Sequence, residues 1–263
     1  MNKVSSNFVF LQKYQQLQYG IMYDELYDIG FAMLGYSKTD ASTFWNVALV
    51  ESALSERQMK QVEAKFLELG RQVTFYFESS QELNPFAQTL LSCQYKKDYE
   101  DCFQFWQNGQ ITEKYFDDIK KVSDQKDLKI FLEVFDKCYE EDDPQNPYGK
   151  LGDYLKVTKK VWDKHHISNR LEYFLVYRGN EPVAVSTLTN HNGIGYISNV
   201  GSLRKVRGQG YGKAATLYCV AQSIKNSNSE HFLATEEGHY PNDFYKQIGF
   251  ATRFSAVGYT KNS

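Results

Sequence analysis

The chain has 263 residues, with 30 basic against 32 acidic side chains and a net charge of −2. That balance excludes global steering toward nucleic acid and a polybasic membrane footprint. Its length suggests two folding units, and an aromatic content of 16% supplies enough apolar bulk for packed cores to exclude wholesale disorder.

Cys93, Cys102, Cys138 and Cys219 are scattered, with no C-x-x-C pair and no ligand-like histidine spacing, so no metal is expected. No window approaches the ~20 apolar residues of a spanning helix, and the polar start lacks a signal-peptide core. The expectation is a soluble cytoplasmic protein with reduced thiols and no membrane partner; oligomeric state is not read from sequence.

Residues 7–37, rich in Tyr, Gln and Leu, begin with a helix. Phe44 to Val50 reads as a strand, and Ser55-x-x-Gln58 as a capping box that starts a helix with Met59, Val62, Phe66 and Leu69 on one side. Gly70 ends it. Val73 to Phe77 is a strand, Asn84 to Cys93 a short helix with Pro85 in its first turn, and Tyr99 to Trp106 a strand. Asn108-Gly109 and the polar stretch to Thr112 form the joint between halves, dividing the chain into 1–112 and 113–263.

The second half opens with a strand from Tyr115 to Val122. Ser123 or Asp124 then caps a helix whose Leu128, Phe131, Leu132 and Phe135 line one face. An acidic loop follows, Glu140 to Pro147, then a helix from Leu151 to Lys164 that buries Leu151, Tyr154, Leu155, Val161 and Trp162. His165 and His166 are adjacent, so on a helix they diverge; they complement its C-terminal dipole and do not pair on a metal. Strands Leu171 to Tyr177 and Val183 to Leu188 flank a hairpin turn, and Asn192-Gly193 turns the chain into strand 194–202.

The stretch Val-Gly-Ser-Leu-Arg-Lys-Val-Arg-Gly-Gln-Gly-Tyr-Gly-Lys, Val200 to Lys213, leaves that strand and enters a helix, 211–225, with Leu217, Val220, Ala221 and Ile224 at helical spacing. Arg207, Gly210 and Gly212 stand in an R-x-x-G-x-G spacing. Glycines let backbone N–H groups turn toward one point, and the helix start adds unpaired donors and a positive dipole end, which reads as a pyrophosphate cradle. The plainer account is a tight strand-to-helix turn. A dinucleotide-binding fingerprint competes poorly, because the spacing is not G-x-G-x-x-G. A strand at His231 to Thr235, a helix at 240–248 carrying Tyr245 and ending at Gly249, and a strand at 251–260 complete the half. The first half runs in the same order but lacks the glycine-arginine turn. It reads either as a degenerate copy of the second or as a chance α/β alignment.

The order strand, V-G-S-L-R-K-V-R-G-Q-G-Y-G-K, helix, strand, F-Y-K-Q-I-G-F resembles the GNAT superfamily of acyl-CoA-dependent N-acyltransferases, clearly from about Asp118 to Thr260. The resemblance implies a mixed-sheet α/β (α+β) fold and acetyl transfer from acetyl-CoA to a primary amine, directly and without a covalent enzyme intermediate. The alternatives are a non-catalytic acyl-CoA-binding module and a protein-interaction module. Gly208, Gln209, Gly210, Tyr211, Gly212 and Lys213 would face the pyrophosphate by backbone, with Arg207 adding charge, while Val200, Gly201, Ser202 and Leu203 would pair with the pantetheine arm. Tyr245 matches the family's tyrosine and is the candidate general acid, or else packs the cofactor. Asn242 either hydrogen-bonds the cofactor arm or caps its helix. Glu236 and Glu237 are candidate bases, with His239 nearby. The acceptor is expected to be a small amine or, second to that, a protein amino group, and Glu140 to Asp143 either favour a cationic one or form a solvated acidic turn.

Overall fold

The structure, a computed structural model, describes residues 5–146 and 148–261. The chain groups into two compact units: residues up to Phe103 together with those from Arg253 onward, and Gln104–Thr252. Sequence places one joint at 108–112, whereas the units part inside two strands, each of which runs on without a turn to mark the boundary.

In the first unit, α1 (Ser6–Gln18) precedes a hairpin of β1 (Glu25–Asp28) and β2 (Met33–Tyr36) that the Tyr-rich sequence hides. Then come β3 (Asn46–Leu49), α2 (Glu56–Glu68), β4 (Thr74–Glu78), α3 (Asn84–Ser92) and β5 (Tyr95–Trp106). The strand expected from Phe44 is shorter: Thr43–Trp45 form a 3-10 turn, and Asn46 Nδ2 donates to the carbonyls of Asp40 and Ser42, each at 2.9 Å. β3 and β4 pair in parallel through the α2 crossover. Met59, Val62 and Phe66 of α2 pack with Phe75, Phe77, Phe86 and Leu90 in this unit's core.

In the second unit, β6 (Ile119–Lys121) is followed by α4 (Gln125–Lys137), α5 (Asp153–His165), β7 (Leu171–Arg178), β8 (Glu181–His191), β9 (Ile194–Ser202), α6 (Tyr211–Lys225), β10 (Glu230–Glu236), α7 (Tyr240–Gln247) and β11 (Phe250–Lys261). The end of β11 belongs to the first unit, where Ala256 to Thr260 pair antiparallel with β4. Strand order in the second unit is β10-β9-β8-β7-β6, with β9 and β10 parallel and the rest antiparallel. The fold is therefore mixed α/β, and β3-α2-β4-α3 repeats the order and parallel pairing of β9-α6-β10-α7.

Three expectations change in detail. The strand from Tyr115 shrinks to β6 because Tyr115 is left-handed (φ 69°) and Phe116–Asp118 form a 3-10 turn. α5 buries Val157, Thr158, Val161 and Trp162, while Leu151 precedes the helix. In α6, Ile224 is 48% exposed. The buried Ser223 hydroxyl meets His231 Nδ1 at 2.7 Å, and fixing that rotation turns the next side chain outward.

α4 packs on one face of this sheet, where Phe131 stacks on Tyr173 at 4.4 Å. α6 and α7 cover the other, where Phe174, Leu188, Ile197, Leu217, Val220, Leu233 and Tyr245 form one cluster. All four cysteines are free, and among the described residues no helix is long and apolar enough to cross a membrane.

The two crossover helices start differently. At α2 the capping box is complete: Ser55 Oγ accepts from the Gln58 N–H at 3.4 Å and Gln58 Oε1 from the Ser55 N–H at 2.9 Å. At α6 the N-cap is Gly210, with no side-chain cap. Ser55→Ala is expected to destabilise the protein by about 1 kcal/mol, seen as a lower Tm in thermal unfolding.

Candidate active site

The site begins with a register fault. Asn192 and Gly193, both left-handed (φ 46° and 79°), make the tight turn that sets β9 against β8. Ala184 and Val185 pair with Ser202 and Gly201, but Thr187 pairs with Ser198, so Ser186 faces two residues, Asn199 and Val200. This is a β-bulge. Asn199 takes the left-handed conformation (φ 52°), which asparagine tolerates better than most residues. Its Oδ1 accepts from Tyr154 Oη at 2.9 Å and its Nδ2 donates to Thr187 Oγ1 at 3.2 Å, which locks the bulge between β8 and α5.

On its other edge β9 meets β10 only through Ile194, Gly195 and Tyr196, opposite Glu230, His231 and Phe232. Both strands continue past that point, β9 to Ser202 and β10 to Glu236, so they diverge with Tyr196 at the vertex. The edge of β9 from Ile197 onward, which includes Val200, Gly201 and Ser202, is left without a β10 partner. Val200 to Leu203 are half-buried.

Beyond β9 the chain makes a 3-10 turn, Arg204–Val206, anchored by Val206, which is buried with Val183, Ala184, Tyr211 and Ala215. Gly208 (φ 74°) and Gly210 (φ 95°) follow, and at neither would a Cβ collide with a neighbour. Conformation therefore demands glycine there, not space. Among the described residues the N–H groups of Gly208, Gly210, Tyr211, Gly212 and Lys213 have no hydrogen-bond acceptor. Gln209 is turned back on itself, its N–H on the Val206 carbonyl and its Nε2 on the Lys205 carbonyl. Tyr115 stacks on Tyr211 at 4.6 Å and closes one side of the turn.

Charge is distributed otherwise than the motif suggests. Arg207 Nη1 donates to Asp143 Oδ1 at 2.7 Å and Nη2 donates to Oδ2, a bidentate clamp on a carboxylate that is 1% exposed. The guanidinium holds the Asp143 carboxyl below the usual carboxylate range and is itself held more firmly protonated. Arg204 lies 3.4 Å from both Glu140 and Asp142, Glu141 lies 2.7 Å from Lys150, and Lys205 pairs with Glu181. Three cations thus offset all but one of the acidic loop's four charges. Lys213 is exposed and makes no ion pair among the described residues.

Tyr245 projects from α7 into the cluster of Trp106, Leu217, Val220, Leu233 and Phe250. Its ring is buried and its hydroxyl donates to no described residue. Burial pushes its phenol well above the ordinary tyrosine range, with Tyr148 and Tyr196 near enough to add to the effect. Asn242 does not cap α7; that position is His239. Asn242 is 1% exposed, its Nδ2 donates to Thr235 Oγ1 and its carbonyl accepts from Gln104 Nε2, which ties α7 to the end of β10. Thr235 Oγ1 in turn donates to Gln104 Oε1.

Glu236 ends the divergent part of β10, half-buried, 3.7 Å from His239 Nε2, whereas Glu237 is exposed. By strand alternation Glu236 shares the face of Phe232, whose ring meets Tyr196 at 5.1 Å. Cys219, within α6, is buried with its Sγ donating to Ser186 Oγ at 3.2 Å, and burial pushes the thiol up to about 12, so it offers no thiolate. Three contributors escape a reading by motif: Asn199 as the bulge residue, Asp143 as the partner of Arg207, and Gln104. The only signal for Asn199 is an asparagine inside a strand.

Removing Arg207 should therefore do more than remove a charge. Arg207→Ala strands a buried carboxylate and is expected to cost about 1.5–3 kcal/mol. Adding Asp143→Asn should recover part of the lost Tm in thermal unfolding.

Residues 129–250 match the family model described as Acetyltransferase (GNAT) family. Among solved structures, a GCN5-related N-acetyltransferase from Kribbella flavida aligns at a TM-score of 0.67 with 14% identity, covering 96% of this chain and 95% of that one. A functionally unknown conserved protein from Staphylococcus epidermidis aligns at 0.66 with 13% identity, covering 92% and 94%. A tandem GNAT protein from the clavulanic acid biosynthesis pathway aligns at 0.54 with 10% identity, covering 88% and 78%. At such identities these likenesses speak for the fold. Among curated proteins none matches the sequence. With the glycine turn, the parted strands and the family model in agreement over the same residues, the segment 129–250 belongs to the GNAT family of acetyltransferases.

Proposed function

We propose that the second unit transfers an acetyl group from acetyl-CoA to a primary amine of a small molecule. The observation that carries this reading is the parting of β9 from β10 beside a turn whose N–H groups lack acceptors. The donor set suits an acyl-CoA: two or more phosphate oxygens for the N–H groups of Gly208 and Gly210 to Lys213, and a peptide-like arm for the free edge of Val200 to Leu203. Because Arg204, Lys205 and Arg207 are already paired, backbone donors do most of the holding, and Lys213 supplies the unpaired positive charge.

The amine nitrogen attacks the thioester carbonyl carbon, the carbon–sulfur bond breaks, and the nitrogen gives up a proton. Glu236, on the divergent strand, takes that proton directly or through water. Free β9 N–H groups polarise the carbonyl. Tyr245 donates to the departing sulfur. With its phenol held above its ordinary pKa, it acts as a hydrogen-bond donor to the thiolate, since full transfer would leave a buried phenolate. No acyl-enzyme forms, consistent with the buried, protonated Cys219.

We further propose that the first unit is a copy without cofactor, because the capping box of α2 occupies the N-cap and third-residue donors that α6 leaves open, and no glycine turn precedes it.

Tyr245→Phe is expected to retain acetyl-CoA affinity by calorimetry and to lower kcat by about tenfold to a hundredfold, the loss of one charge-assisted hydrogen bond. An unchanged kcat would favour a packing role, and binding without thiol release from any amine would favour a non-catalytic acyl-CoA module. Absence of binding would favour an interaction module.

The pH profile carries a sign. With the Tyr245 pKa raised, the phenol stays protonated above pH 10, so kcat should not fall between pH 8 and 10. Glu236→Gln should lower kcat/KM most near neutrality, with the deficit shrinking as rising pH deprotonates the amine.

A further inference from the structure

On the face of the sheet opposite α7, the mouth of the β9–β10 gap is walled by aromatic rings from the α4–α5 connection. Cys138 lies directly over β9 at Gly201 with Tyr139 beside it: a Cβ on Gly201 would sit 2.6 Å from Cys138 Cβ and 3.6 Å from the Tyr139 ring. Phe135 meets Tyr139 edge-on at 5.1 Å and Tyr154 at 6.1 Å, and Tyr154 reaches the bulge at Asn199. Tyr148 continues the wall 6.3 Å from Tyr139. Tyr148 is 43% exposed, yet its N–H donates to Asn146 Oδ1, and Asn146 Nδ2 donates to the carbonyls of Glu140 and Gly149. Tyr196 stands at the vertex. Tyr245 approaches from the other face, near enough for its phenolate to oppose ionisation of Tyr139.

The same loop carries four carboxylates, met by three cations: Glu140 and Asp142 share Arg204, Glu141 has Lys150, and Asp143 has Arg207. Four carboxylates against three cations leave one net negative charge, which matches a single ammonium and not the several charges of a polyamine. A flat ring would find faces and edges to pack on.

We infer that the acceptor is a primary amine carried on an aromatic body with a single positive charge, its ring held among Tyr139, Tyr148 and Tyr154 and its nitrogen directed into the gap. This rests on the acetyl-transfer reading above and names its substrate class.

The test compares 2-phenylethylamine, hexylamine and spermidine as acceptors at saturating acetyl-CoA, following free CoA. The expected result is a kcat/KM for 2-phenylethylamine about tenfold or more above either other amine, the scale of one or two ring contacts. Tyr148→Ala, on the exposed loop, and Tyr139→Ala should each erode that advantage through KM while acetyl-CoA affinity by calorimetry is unchanged. Tyr148→Phe should keep it, because stacking needs the ring and not the hydroxyl. Hexylamine or spermidine turned over as well as the aromatic amine, or an aromatic preference that survives both alanine variants, would overturn the inference alone. Acetyl-CoA binding with no turnover of any of the three would overturn the transfer reading and the inference with it.

Discussion

The gap between β9 and β10 past Tyr196 and Phe232 is the constraint on which the rest depends. Two parallel strands that pair for three residues and then separate leave polar main chain unsatisfied, a state that native structures seldom tolerate without a partner or solvent. The bulge at Asn199 bends β9 at this place, and its side chain is bonded on both sides, to Tyr154 and Thr187. The opening is therefore built into the strand and does not depend on a loop. Tyr245 from one face and Tyr139 from the other reach the same opening because no third strand fills it.

The turn after β9 shows how such a site can be basic in sequence and nearly neutral in space. Arg204, Lys205 and Arg207 suggest a cationic cradle, yet each meets a carboxylate. The Arg207–Asp143 pair resembles a buried salt bridge in its consequences: either partner alone is costly, and the two together fix geometry more than they add stability. What it fixes is the acidic loop against the turn, and with that loop the rings of Tyr139 and Tyr148.

Much of this was legible in the chain. The glycines at 208 and 210 announced the turn because their reason is local, a left-handed backbone conformation. Ser55 and the pair Ser123-Asp124 announced helix starts for the same reason, and the caps made are those of Ser55 and Asp124. What stayed hidden is set by distant partners. Arg207 and Asp143 are 64 positions apart, and Gln104 and Asn242 are 138 apart. Neither pairing leaves a periodic trace. The exposure of Ile224 follows from the Ser223–His231 bond, which helical spacing alone does not reveal.

The ends of β5 and β11 have a practical consequence for anyone wishing to dissect the protein. Gly249 lies against Trp106, whose ring would sit 2.7 Å from any Cβ placed there, and Gln104 secures both Thr235 and Asn242. A shortened gene opening at residue 113, the point that composition recommends, would discard both side chains. It would keep instead a terminal segment from Arg253 whose strand partner, β4, had been left behind. A cut at 113 therefore breaks the second unit, whose bounds, Gln104 and Thr252, lie inside strands and not at the turn.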